Sequence, residues 1–237
     1  MQNDLVEGIT TLLSFTMEDI PDIEPLESSF PEVKKGDLFI ENKMYKSPKL
    51  RKIHLEVANI GKLKILHCVF FPNPKYDIPI FGCDIVQNEK VITAAIVDVS
   101  PITGSEHVYE KLSTISNNFR FKEKRPLPLW GDEIFSPFCK FVRLTEDIEI
   151  ANFYCVVLEY LSIFFESVRD AELDPDWIKE VRRMDDQIWY CTQQQKNDKT
   201  RGILENVFDK QWAENYIATV LFDKPTCKTQ TGQHKSY

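Results

Sequence analysis

Five apolar stretches follow one another between residues 37 and 99, and the chain between them is too short for parallel crossovers. They are 37–46, 50–58, 62–71, 79–86 and 91–99. A parallel connection needs about a dozen residues or more, so neighbours joined this tightly pair antiparallel. The second stretch alternates: Arg51, Ile53, Leu55 and Val57 share one side, Lys52, His54 and Glu56 the other, which is the period-two signature of a strand. Asn59-Ile60-Gly61 reads as a hairpin turn, and residues 87–90 join the last two stretches.

Helical spacing flanks this block. Residues 4–17 predict an opening helix, followed by an acidic connector with Pro21, Pro25 and Pro31. Residues 106–116 predict a short helix and 138–144 a further strand. Three longer helices follow: 147–170, one from Asp174 as N-cap with Pro175 in its first position to about 195, and about 202–221. Strands first and helices mostly afterwards predict an α+β fold, an antiparallel sheet covered by helices. The tail from 224 to 237 is polar and expected to be loose.

The 237 residues suit one large domain or two small ones. With 43% hydrophobic and 28% charged residues, a filled core is expected and global disorder is not. A net charge of −8 argues against nucleic acid, which requires a basic face. The charge is uneven. Residues 1–33 hold no Lys or Arg, whereas 34–64 hold nine cations against three anions. That basic segment reads either as Lys guarding a sheet edge or as a docking face for an acidic partner.

The six cysteines, Cys68, Cys83, Cys139, Cys155, Cys191 and Cys227, form no CxxC pair and no zinc or iron–sulfur spacing. No metal site is expected. There is no GxGxxG and no GxxxxGK[ST], so the usual nicotinamide, flavin and nucleotide sites are not supported. An acidic N-terminus is the reverse of a secretory segment. The longest apolar run, 153–165, is interrupted by Glu159 and is too short to span a bilayer. A cytoplasmic protein with reduced thiols and no membrane contact is the expectation.

Ionisable residues on apolar strands are costly unless something uses or satisfies them. His67 shares a strand face with Leu63, Ile65, Val69 and Phe71, and Asp84 shares one with Ile80, Gly82 and Val86. With Glu56 and His54, three adjacent strands each offer a titratable group at one level. Each has a plain alternative: a satisfied core histidine, a carboxylate at a strand end, an exposed strand face. Together they suggest a proton-transfer site, because a carboxyl group in an apolar setting stays protonated towards neutral pH and can act as an acid. Residues 193–201 read as a helix C-terminus with cations at its dipole end, or as an anion clamp using Lys199 and Arg201. Residues 124–131 put Arg125 and Trp130 on a Pro-rich loop that either packs on the sheet or closes over a ligand.

The stretches IENKMYKSPKLRKIHLEV, ILHCVFFPNPKY, IFGCDIV, AAIVDVSP, PLWGDEIFS and CTQQQKNDKTRGILE resemble the ferredoxin-dependent bilin reductases from about residue 38 to 223. The resemblance implies one reductase domain over 1–237, built as an α/β/α sandwich. It implies biliverdin held between sheet and C-terminal helices, no bound cofactor, and electrons from a reduced 2Fe-2S ferredoxin. Single-electron transfers would alternate with protonations through bilin radicals. By matching motif, Asp84 would be the central proton donor, with His67 sharing its proton as a coupled pair. Glu56 would protonate a vinyl group and His54 would support the network. Arg125 and Lys199 would bind the propionates, with Asn197, Asp198 and Trp130 lining the pocket.

Having both the Glu of HLEV and the His of LHCV points within the family to four-electron reduction of biliverdin IXα to phycocyanobilin. The alternatives are a reductase of other regiochemistry, ending at a two-electron product or phycoerythrobilin, and a carrier that binds pigment without reducing it. The resemblance gives the basic segment an acidic partner: ferredoxin would dock near Lys43, Lys46, Lys49, Arg51 and Lys52. A monomer is expected, since one chain can line the pocket. Asn73 in the FP-x-P turn departs from the family pattern but touches none of the proposed donors.

Overall fold

The computed structural model describes residues 4–89 and 91–226. Among them, nine strands form one antiparallel sheet: β1 (Glu24–Pro25), β2 (Glu32–Lys35), β3 (Leu38–Lys46), β4 (Leu50–Ile60), β5 (Leu63–Pro72), β6 (Ile80–Asn88), β7 (Val91–Ser100), β8 (Glu123–Lys124) and β9 (Lys140–Leu144). The order is β1-β3-β4-β5-β6-β7-β9-β8, with β2 also on β3. All five strands expected between 37 and 99 are present. The first hairpin turns one residue later than expected: Ile60 still pairs with Leu63, and Gly61 makes the reversal at φ 55°, a left-handed conformation that glycine adopts without a Cβ clash. The short strands β1, β2 and β8 carry too few residues to show a pattern in sequence.

Helices cover both faces, giving the expected α/β/α layers. On one side lie α1 (Leu5–Met17), α2 (Tyr109–Asn118) and α4 (Asp147–Asp170). They bury Ile9, Leu13, Leu112, Phe153, Tyr160 and Phe164 against Leu55, Cys68, Phe70, Phe81, Cys83 and Val97 of the sheet. Its 24 residues make α4 long and apolar enough to cross a membrane by length and composition, a point the interrupted run 153–165 did not reveal. Here its apolar stripe is the surface that covers the sheet.

On the other side lie α3 (Leu129–Asp132), α5 (Trp177–Gln194), α6 (Asp198–Val207), α7 (Lys210–Tyr216) and a π-helical turn at Ile217–Leu221. Tyr190, Leu204, Tyr216 and Val220 pack there on Ile40, Val69, Phe71 and Ile80. Two expectations fail on this side. Asp174 does not cap α5; Asp176 does, accepting from the Ile178 amide. Asp174 is drawn instead to Arg183, 2.5 Å away and 1% exposed, because a buried guanidinium needs a counter-charge. The helix expected over 202–221 also breaks. Phe208 is extended and Asp209 caps a new helix through the Trp212 amide. Of the tail expected to be loose, residues 227–237 lie outside the described residues.

Candidate active site

The sheet register builds the site. Asn42 pairs with Glu56, Glu56 with His67, and His67 with Asp84, so four polar residues form one row across β3–β6. Opposed residues on antiparallel strands point the same way. This row faces the C-terminal helices, which do not close completely over it. A cavity of about 620 Å³ remains, floored by Glu56, His67 and Asp84. Its rim takes Arg125 from the loop leading into α3, Trp130 from α3 itself, and Asn197, Asp198 and Lys199 from the start of α6. Eight of the nine residues expected to form a site therefore line one cavity. The ninth, His54, is fully buried beside it and touches the site through Asn42, whose Oδ1 lies 2.7 Å from its Nε2.

Burial and pairing set the charges. His67 Nδ1 lies 2.6 Å from Asp84 Oδ1. Burial works against the imidazolium, but the Asp84 carboxylate, its hydrogen bond and Glu56 together outweigh it, and the His67 pKa is raised. Glu56 is held above the usual carboxylate range by burial, against the opposing pull of His67 and the hydrogen bond from Tyr216. His54 is pushed well down by burial, with Lys52 and His67 adding repulsion, and is neutral. The closed setting expected around Asp84 belongs to Glu56 instead: Glu56 is 7% exposed, while the Asp84 side chain is 39% exposed. The exposed-face alternative for His54 and Glu56 is overturned, since both are buried.

The remaining residues differ in how committed they are. The Arg125 guanidinium donates to the Thr93 carbonyl and lies over Phe141, 5.1 Å from its centroid. Trp130 packs at an angle against Phe135. Asn197 caps α6, its Oδ1 accepting from the Lys199 and Thr200 amides, so its side chain has a structural task. Lys199 and Asp198 are exposed at the cavity mouth. No cluster of three or more His, Cys, Asp or Glu able to hold a metal occurs among the described residues.

Three site residues escape sequence reasoning. Asn42 sits among the apolar residues of β3, the same signal that singled out His67. Tyr216 donates its hydroxyl to Glu56 Oε2 at 2.6 Å, and Phe222 sets its ring edge-on to His67 at 5.3 Å. Neither of the last two stands out in sequence, because aromatic residues are expected in any helical core.

Three of the five cations expected to form a docking face are engaged within the fold. Lys52 is 1% exposed and donates to the Val220 carbonyl and to Asp223. Arg51 binds Asp223 and Gln187, and Lys49 donates to the Val168 and Arg169 carbonyls. These three cations fasten the chain that follows α7 and the end of α4. Of the five cations named for that face, Lys43 and Lys46 stay exposed, paired with Glu41 and Glu24. Nor is β3 an open edge, since β1 and β2 pair with it.

Comparison with known proteins places this architecture. Residues 10–223 match the sequence model of the family described as ferredoxin-dependent bilin reductase. The chain is 39% identical over 234 residues to the phycocyanobilin:ferredoxin oxidoreductase of Prochlorococcus marinus strain MIT 9303, covering 93% of this chain and 87% of that one. It is 43% identical over 204 residues to the enzyme of the same name from strain MIT 9515, covering 85% and 84%. The crystal structure of tomato phytochromobilin synthase in complex with biliverdin superposes with a TM-score of 0.77 at 17% identity, over 91% of this chain and 82% of that one. The chain belongs to the ferredoxin-dependent bilin reductase family, and it is an oxidoreductase.

Proposed function

We propose that this chain reduces biliverdin IXα to phycocyanobilin, taking four electrons singly from reduced 2Fe-2S ferredoxin and passing through bilin radicals. The observation that carries this reading is the row Glu56–His67–Asp84 on the floor of an otherwise largely apolar cavity. Each electron added to a tetrapyrrole raises its basicity, so four electrons require four protons, and side chains on the cavity floor are positioned to deliver them. The Asp84–His67 pair acts as the central donor and exchanges its proton as a unit. Glu56, whose proton burial holds more tightly than that of a free carboxyl, delivers to the vinyl group of an end ring, and His54 supports it through Asn42. Arg125 and Lys199 bind the two propionates at the mouth. Trp130, Asn197 and Asp198 shape the walls. One chain lines the whole cavity, which supports a monomer as the working unit.

A pigment carrier would need the rim cations and apolar walls but gains nothing from buried acids, whose placement costs several kcal/mol. The test is an anaerobic absorbance time course with biliverdin, ferredoxin and a reducing system, with products separated by chromatography. Phycocyanobilin formed through a transient radical supports the reading. A different final bilin overturns the regiochemistry, and stable binding without spectral progress overturns catalysis.

A further inference from the structure

Tyr216 and Asn42 form a hydrogen-bond chain whose direction can be read from a single backbone carbonyl. Asn42 Nδ2 lies 2.8 Å from the Phe30 carbonyl oxygen. A carbonyl only accepts, so the amide nitrogen must face it. The same Nδ2 donates its second hydrogen to the Tyr216 hydroxyl at 2.8 Å. That leaves Asn42 Oδ1 as an acceptor facing His54 Nε2 at 2.7 Å, which puts the proton of the neutral imidazole on Nε2. His54 Nδ1 is then a bare, buried lone pair with no partner among the described residues. The Tyr216 hydroxyl, already accepting from Asn42, donates to Glu56 Oε2 at 2.6 Å. The Tyr216 ring is held for this by stacking on Trp212 at 4.9 Å and by the edge of Phe30 at 5.7 Å.

The bonds from His54 through Asn42 and Tyr216 all run towards Glu56, and its Oε2 is an acceptor. Glu56 lines the cavity, and its other oxygen has no hydrogen-bond partner among the described residues. We infer that Tyr216, oriented by Asn42, is a positioning residue that confines the transferable proton of Glu56 to Oε1, facing the ligand, and strengthens Glu56 as an acid. The inference rests on the reading of Glu56 as a proton donor. When the proton leaves, the Tyr216 hydrogen bond becomes charge-assisted and stabilises the carboxylate. Asn42 stops the chain from acting as a relay, because an amide does not pass a proton readily. Glu56 is therefore recharged from the cavity side. The groups facing Glu56 are His67 and Asp84 along the row, Lys52 on its own strand and Tyr216 above it; replacing Tyr216 by Phe leaves the other three in place.

The test is a difference-infrared titration of the Glu56 carboxyl band, assigned by its loss in Glu56→Gln. In Tyr216→Phe the midpoint is expected to rise by about one pH unit, a roughly tenfold weaker acid, as expected for losing one hydrogen bond to a charged acceptor. With 3-fluorotyrosine at 216, a stronger donor with the same packing, it is expected to fall. This second arm decides the matter if the Phe variant does not fold. Unchanged midpoints overturn the inference. Turnover adds a separate check. Tyr216→Phe is expected to slow the Glu56-dependent reduction about tenfold without changing biliverdin Kd. If Glu56→Gln blocks that step and Tyr216→Phe does not slow it, the inference fails and the reading of Glu56 stands. If Glu56→Gln has no effect, that reading fails, and the infrared midpoints alone judge the contact.

Discussion

Glu56 and His67 are adjacent in the sheet and both hold protons more tightly than their free counterparts, for different reasons. Glu56 does so because burial penalises its anion; His67 does so because Asp84 and Glu56 reward its cation by more than burial penalises it. The consequences for stability have the same sign. A raised His67 contributes stability fully present below its unfolded value of about 6.5, lost as pH rises through the folded value. A raised Glu56 makes the unfolded state give up its proton first, so stability again falls as pH rises from the unfolded carboxyl value upward. Glu56→Gln removes the second effect. Its thermal midpoint is therefore expected to gain on the parent as pH is raised from 5 to 8; parallel curves would show that Glu56 is not held neutral. At the same scale, Asp84→Asn keeps the shape of the pair but takes away its acid. Biliverdin should still bind, with reduction slowed by about a hundredfold or more, within the usual range for a lost general acid, as read by single-turnover absorbance.

At the scale of elements, the strands were legible and the C-terminal helices were legible only in part. Alternation and short turns are local signals, and they marked β3–β7 to within two residues at each end. The break at Phe208–Asp209 went unseen because the helical spacing of apolar residues continues through it. What breaks the helix is Asp209 capping α7 together with Trp212 stacking on Phe208 at 3.7 Å. Asp209→Ala is expected to cost about 1 kcal/mol, a typical lost N-cap, measured by urea unfolding. It should also loosen Tyr216 at the far end of α7. The buried pair Asp174–Arg183 is the larger dependence. Asp174→Ala leaves a 1%-exposed guanidinium without its carboxylate, and a clear loss of stability is expected in the same urea unfolding; an unchanged midpoint would mean that the Thr103 and Pro74 carbonyls satisfy Arg183 alone. On the opposite face Phe164 meets both Phe70 and Phe81, and Phe164→Ala is expected to cost about 3–5 kcal/mol.

At the scale of the molecule, the basic segment changes meaning. The sequence shows a run of cations; the fold uses Arg51 and Lys52 to fasten the C-terminal chain that carries Phe222 over His67, and Lys49 to hold the end of α4. Of the five cations expected to meet an acidic electron carrier, Lys43 and Lys46 stay exposed. Lys43→Glu with Lys46→Glu is expected to slow reduction several-fold at low ionic strength and to flatten its salt dependence, because surface charges act mainly on encounter. An unchanged rate and salt profile would move the docking face elsewhere.

The sequence by itself determined the sheet, the sequence of its central strands and the side of it on which Glu56, His67 and Asp84 emerge, because a two-residue period and tight turns are properties of neighbouring residues. It also carried the motifs from which the cavity rim at Arg125 and Lys199 was expected. Only the tertiary structure decided what those groups meet. Asn42 and Tyr216 are 174 residues apart, and no local pattern reports a contact of that span. Whether a strand lysine reaches water or a buried carboxylate depends on which helix returns to cover it. The same holds for the acid: burial of Glu56 and exposure of Asp84 follow from where α7 closes on the sheet and where it leaves the sheet open.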